Sequence, residues 1–551
     1  MSVVKKAGQT CLLYLRSFLF PLYKIPFILL NLLFGMYAFV FNDQGQDLMA
    51  TFNQYAFYEK GYLSTFICFL IVWGIGIWNA ARLLLTAANL TAFIQHQVPT
   101  NTLMQAGVSP LPLPKGNWIV VSLNRAYEKM VQRMIRWLPR VLSVLPYVLV
   151  AWGCIRQYHA LKDVKWVNLI LLLLLLILQL VLLAKREQIA QRFGMVMKQF
   201  QPLQNRFSLL EVRGIKNILI TSGTYINSWL NLGLLVVMLI ISSYWAFKAP
   251  SDNGCPGLII VCGLSVYILL GLIFNLLMLW YKVPVFLLLL IVTILFTARC
   301  NDNHSIQIIT NTNDSMLIHR QQRQMYSDTG YAAYWLRHKM IEHVIDSNST
   351  LFIVASEGGG IRNCYWTYLV LNRLQQQRPL FYERTFAVTG VSGGSIGLGM
   401  YYAYQYQQEH PIAETLNMQL RNIDTLQQIC SADYLSRVSF GLLFPDMLQR
   451  FIPIKIDRWD RSKMLANSFD DGYSYLTGSK QYLSQNYLLP WADSSTAYRY
   501  PVLLFNTILN EAGAKALFSP YRLSGRYYTE AVDLISEMHT SVPIKEAMTS
   551  S

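Results

Sequence analysis

The chain has 551 residues, of which 53% are hydrophobic and only 14% charged, and its mean hydropathy is +0.30. That is too apolar for an ordinary soluble protein and predicts several membrane spans. The net charge of +16 lies in the first 299 residues, where 25 Lys and Arg face 8 Asp and Glu. Basic charge placed between apolar runs sets membrane topology and excludes nucleic-acid binding as the reading of the high pI.

Lys5, Lys6 and Arg16 precede the first long apolar run, with no cleavage pattern after it, as in a signal anchor. Seven apolar runs then follow: Phe18–Phe41, Tyr62–Ala80, Val141–Ile155, Trp166–Ala184, Ser228–Phe247, Gly257–Tyr281 and Val283–Ala298. They predict an α-helical membrane domain over residues 1–300 with six or seven spanning helices, the short Val141–Ile155 being the one that decides the number. The connections Ala81–Arg140 and Lys185–Asn227 carry seven Lys and Arg each and are expected, with the amino terminus, on the cytoplasmic side. Seven spans put the rest of the chain outside the cytoplasm and six put it inside. No span carries a row of acids or bases, which favours an anchor over an ion path. The eight cysteines form no Cys-x-x-Cys pair and the eight histidines no metal-ligand spacing, so neither a metal site, a disulfide framework nor a cofactor is indicated.

Residues 301–350 are polar and read as a connector, followed by an α/β domain over 351–551. Leu351–Ala355, Thr385–Val391 and Val502–Thr507 have the composition of buried strands. Cys364–Gln377, Ile396–Gln408, Ala413–Ser431 and Arg458–Ser468 read as helices or caps, giving a partial three-layer α/β domain. Two glycine-rich turns follow the first two strands. Gly390-Val391-Ser392-Gly393-Gly394 has the Gly-x-Ser-x-Gly form of a nucleophile elbow, with Ser392 as nucleophile and Gly390 and Gly394 as the elbow glycines. Glu357-Gly358-Gly359-Gly360-Ile361-Arg362 offers bare backbone N–H groups for an oxyanion, and three glycines before an arginine equally suit a phosphate-binding turn or a loop. Tyr401, Tyr402, Tyr404 and Tyr406 follow the elbow at a spacing that suits core packing better than an acyl channel.

These two turns together resemble the patatin-like phospholipases. Asn301-Asp302-Asn303-His304, Leu442-Leu443-Phe444-Pro445-Asp446 and Ala516-Leu517-Phe518-Ser519 resemble segments of large bacterial membrane-bound members. The resemblance implies a membrane-anchored serine lipid acyl hydrolase of the bacterial inner membrane. It would work through a Ser–Asp dyad, with Ser392 as nucleophile, the amides of Gly358, Gly359 and Gly360 as the oxyanion hole and Arg362 as a supporting charge. Its partner would be a membrane phospholipid or another acyl-ester lipid. Glu357 stands where the family more often has Asp.

The family's dyad Asp lies in a late Asp-Gly-Gly or Asp-Gly-Ala turn, and neither tripeptide occurs here. In relatives, the segment resembling Val542–Ser551 precedes a further strand and that Asp. The expectation is therefore a hydrolase domain incomplete at its carboxyl end, either completed by a complementing C-terminal polypeptide or catalytically incompetent. Asp471, in the only Asp-Gly of the chain, is a weak substitute because Ser468–Tyr473 reads as a solvated loop. A Ser–Asp–His order through Asp493 or Asp533 and His539 is the other internal alternative.

Overall fold

The computed structural model describes residues 22, 25–42, 52, 62–97, 118–156, 162–185, 224–247, 256–281, 283–299, 305–309, 328–410, 432–477, 482–493, 495–509, 512–523 and 530–551. The chain divides into two compact units, one of Met1–Ala246 with Cys255–Ile294 and one of Phe247–Gly254 with Leu295–Ser551.

The first unit is helical. Its elements are α1 (Pro26–Met36), α2 (Tyr62–Gln97), α3 (Trp118–Arg156), α4 (Lys162–Ala184), α5 (Thr224–Phe247) and α6 (Pro256–Tyr281), and α7 (Val285–Arg299) leads out of it. Four described helical segments are long and apolar enough to cross a membrane: Tyr62–Leu85, Arg136–Arg156, Trp166–Ala184 and Pro256–Asn275. Pro26–Phe41, Asn231–Phe247 and Val285–Thr297 are apolar but shorter. The expected loop Ala81–Arg140 is helical over much of its length, because α2 and α3 run on past their apolar runs. The loop Lys185–Asn227 lies almost wholly outside the described residues. Helices in an apolar phase associate through close packing and shared hydrogen bonds. Here Trp73 donates to Asn31 Oδ1 at 2.9 Å, and Asn31 donates to the Leu264 carbonyl at 3.0 Å. In α3, which contains Pro139 and Pro146, the Ser143 carbonyl accepts from Gln179 Nε2 at 3.0 Å.

The second unit holds α8 (Asp328–Ile341), β1 (Phe352–Ser356), α9 (Gly360–Gln377), β2 (Thr385–Gly390), α10 (Gly393–Glu409), α11 (Leu435–Leu443) and α12 (Pro445–Gln449). It continues with α13 (Arg461–Thr477), β3 (Val502–Leu509), β4 (Ala514–Phe518), β5 (Ala531–Asp533), α14 (Leu534–Met538) and α15 (Ile544–Thr549). The strands form one mixed sheet in the order β1-β2-β3-β4-β5, parallel except between β3 and β4. The α8 helix lies within the expected connector. Its Tyr331 and Trp335, one turn apart, are buried against the sheet residue Phe386, and Tyr331 stacks on Tyr521 at 3.8 Å. The sheet also packs on α10 and α15 through Leu398, Phe505 and Met548. Ile353 on β1 and Ile508 on β3 remain 74% and 63% exposed, so cover over the outer strand ends is partial. The expected helix Ala413–Ser431 lies outside the described residues save its last neighbour Ala432.

Candidate active site

β1 and β2 run parallel with Ser356 level with Gly390, so the turns leaving their carboxyl ends stand side by side. From β2 the chain enters α10 within two residues, and Ser392 is the residue that caps that helix. Its backbone has φ 53° and ψ −127°, a conformation that residues bearing a Cβ rarely adopt, and its side chain is exposed. This is the strained strand-to-helix turn that lifts a hydroxyl clear of sheet and helix.

The two turns are in backbone contact. A methyl group on Gly393 would lie 1.9 Å from the Gly360 carbonyl oxygen, and one on Gly394 2.4 Å from the Glu357 carbonyl. On Gly390 it would meet the Ser395 nitrogen at 2.8 Å. Gly358 flanks the nucleophile, its own added methyl falling 3.5 Å from Ser392 Cβ. Gly359 and Gly360 follow with φ of 155° and 61°, all three glycines being exposed beside the serine. Arg362 is exposed in the first turn of α9.

The electrostatics follow from the same contact. The first amides of a helix have no intrahelical acceptor and carry partial positive charge. Here the starts of α9, at Gly360, and α10, at Gly393, meet next to Ser392, and neither first turn contains an acid. A carbonyl oxygen gaining negative charge at this point finds two helix amino termini and exposed glycine backbone.

The residues that brace the site escape a sequence reading. Asn363 donates to the Glu357 carbonyl and, at 3.3 Å, to Ser356 Oγ, holding the glycine loop to its own helix. Asn506 on β3 donates to the Gly390 carbonyl at 3.0 Å and to Thr389 Oγ1 at 2.6 Å. Ser551 Oγ donates to the Asn506 carbonyl at 2.5 Å and lies 2.6 Å from Ser395 Oγ. Asn506 interrupts the apolar run of β3, and a polar residue there must find a partner, which is the one available signal.

The expected bases are placed elsewhere. Asp471 does not sit in a loop: it lies within α13, half-exposed and paired with Arg437, while Gly472 is packed under the Tyr434 ring. Asp493 closes a local turn through Ser495, at 2.8 Å to the backbone and 2.7 Å to the hydroxyl, and these bonds hold its carboxyl below the usual range. Asp533 caps α14, accepting from the Ser536 backbone at 3.2 Å and hydroxyl at 3.0 Å. His539 ends that helix, exposed, in a left-handed conformation. Among the described residues, no side chain hydrogen-bonds to the Ser392 hydroxyl. No family model, no curated protein and no solved structure matches this chain.

Proposed function

We propose that the chain is a membrane-anchored serine lipid acyl hydrolase, of the phospholipase A or lysophospholipase kind that the patatin-like resemblance implies, resident in a bacterial plasma membrane. The observation that carries this is the backbone of Ser392, φ 53° and ψ −127°, at an exposed turn flanked by Gly358. Ser392 Oγ attacks the ester carbonyl of a membrane lipid and its proton passes to a base. The carbonyl oxygen, now anionic, is held by the amides of Gly358, Gly359 and Gly360 and by the two helix amino termini. The C–O bond breaks, the alcohol leaves with the proton, and water hydrolyses the acyl-Ser392 ester. Arg362 supports the loop or a headgroup phosphate. A serine hydroxyl needs an adjacent proton acceptor at neutral pH. We assign that role to a complementing polypeptide segment that brings the dyad Asp.

A second reading has Ser392 bind lipid carbonyls without turnover, favoured by the lack of any hydrogen bond to its hydroxyl among the described residues. Fluorophosphonate labelling of the chain in its native membranes, where a complementing segment is present, separates the two, with Ser392→Ala as control. Labelling that the mutation abolishes supports the hydrolase. A folded chain that stays unlabelled there refutes the hydrolase and supports the second reading.

A further inference from the structure

Residues 435–454 of the second unit have their polarity reversed. In α11, Ser436 is buried with Phe440 and Leu443, while Leu435 and Leu442, two turns apart on one face, are 46% and 45% exposed. In α12, Asp446 and Gln449 are buried, while Met447 and Leu448 are 46% and 50% exposed. Ile454 follows at 67%. Two of the inward polar side chains have partners: Asp446 pairs with Arg461 at 3.1 Å, and Gln449 accepts from the Ile456 nitrogen at 3.1 Å. So this segment pairs Asp446 and Gln449 internally while it turns apolar side chains outward. A single exposed leucine means nothing, but five exposed apolar side chains within one short segment, beside buried polar ones, do.

Among the described residues, the unpaired charge near these side chains is of one sign. Arg450 and Arg458 border them, half-buried and exposed, and neither forms an ion pair among the described residues. The acids nearby are taken up, Asp446 by Arg461 and Asp457 by Lys463 at 2.9 Å and Lys455 at 3.7 Å. Phe247, which clusters with this unit, packs edge-on against Phe440 at 5.6 Å. The Arg437 guanidinium lies 5.8 Å from its ring.

We propose that Leu435, Leu442, Met447, Leu448 and Ile454 form a lipid-docking surface of the second unit. They enter the headgroup–acyl boundary of a bilayer, with Arg450 and Arg458 against headgroup phosphates. The occupant is a bilayer because the free charge is cationic, matching anionic lipid, and because the same chain carries four membrane-length apolar helices. The surface stands whether or not Ser392 turns lipid over.

The test uses the full chain in lipid nanodiscs containing anionic phosphatidylglycerol. An environment-sensitive fluorescent amino acid replaces Met447 and, in a second preparation, the exposed Asn348. Docking of this kind places side chains roughly 5–10 Å into the boundary. A nitroxide near the top of the lipid acyl chain should therefore quench the fluorophore at 447 and leave that at 348 unchanged. A fluorophore at 447 that is quenched no more than the one at 348 overturns the proposal. So does one shielded from water, unquenched by lipid and crosslinked to a second copy, which would make the surface a protein interface. Because Met447 is already half-exposed, the substitution leaves the core intact.

Discussion

Replacing Ser392 by glycine should stabilise the protein. A residue with a Cβ held in a sparsely populated region costs about 1–3 kcal/mol, and glycine removes that cost. Against this, glycine loses more backbone freedom on folding, about 0.5–1 kcal/mol. Among the described residues, the exposed hydroxyl of Ser392 has no hydrogen bond to lose. Taken at their midpoints, the two ranges give a net gain for Ser392→Gly of about 1 kcal/mol. Ser392→Ala keeps the Cβ and hence the strain, so its stability stays within about 0.5 kcal/mol of the parent. At about 2–4 °C per kcal/mol for a unit of this size, the glycine variant should melt about 2–4 °C above the alanine variant. The assay is differential scanning fluorimetry of the detergent-solubilised full chain at one scan rate, since heating such proteins also reports an unfolding rate. Neither variant has a hydroxyl, so the comparison is free of any effect of activity. A glycine variant melting no higher than the alanine variant would refute the strain and remove the conformational ground for an elbow.

Gly393→Ala should separate the two turns, because its methyl would fall 1.9 Å from the Gly360 carbonyl oxygen. The expected cost is about 1–3 kcal/mol, with loss of any fluorophosphonate labelling, and an unchanged melting temperature would contradict the contact. Lys545→Met leaves Asp470, 3.4 Å away and almost fully buried, without its cation, and should cost about 3–5 kcal/mol in chemical denaturation. Adding Asp470→Asn should recover part of that loss. Glu546 is buried, which lifts its carboxyl above the ordinary 4.5, and its Oε1 has no hydrogen-bond partner among the described residues. Its protonated form fits the folded state, so its contribution is complete below pH 4.5 and fades as pH rises through the raised value. Glu546→Gln should therefore gain in melting temperature over the parent as pH goes from 4.5 to neutrality. A pH-independent difference would show that burial does not govern this carboxyl.

The parts of the fold legible in the sequence are those set by local pattern. β1, β2 and β3 are short apolar runs followed by polar or glycine residues, and the structure keeps them as Phe352–Ser356, Thr385–Gly390 and Val502–Leu509. The two glycine turns between strand and helix are visible for the same reason. What escapes is decided by contacts distant in sequence. The sequence reading ends the helix before Asp470-Asp471-Gly472 because that tripeptide favours a turn. Instead α13 runs on to Thr477, with Gly472 filled by the Tyr434 ring and Asp470 accepting from the Leu483 nitrogen at 3.1 Å and from Lys545. The α8 helix hides in a polar stretch, since its fully buried apolar residues are Tyr331 and Trp335 and the third buried position is Lys339. β4 is obscured by Lys515, which lies at the exposed end of an otherwise buried strand.

Presentation of the serine and its activation are held by different parts of the chain. Asn363 fixes the glycine loop, Asn506 and Ser551 fix the end of β2, and Gly393 and Gly394 seat one turn on the other. None of these bonds involves the Ser392 hydroxyl, so the elbow is formed by backbone packing and peripheral hydrogen bonds alone. Supply or loss of a proton acceptor then changes the reactivity of Ser392 without changing its conformation. The glycine substitution reads that conformation and the fluorophosphonate probe reads the reactivity. A strained but unreactive serine would locate the deficit in the base, while an unstrained one would place it in the turn itself.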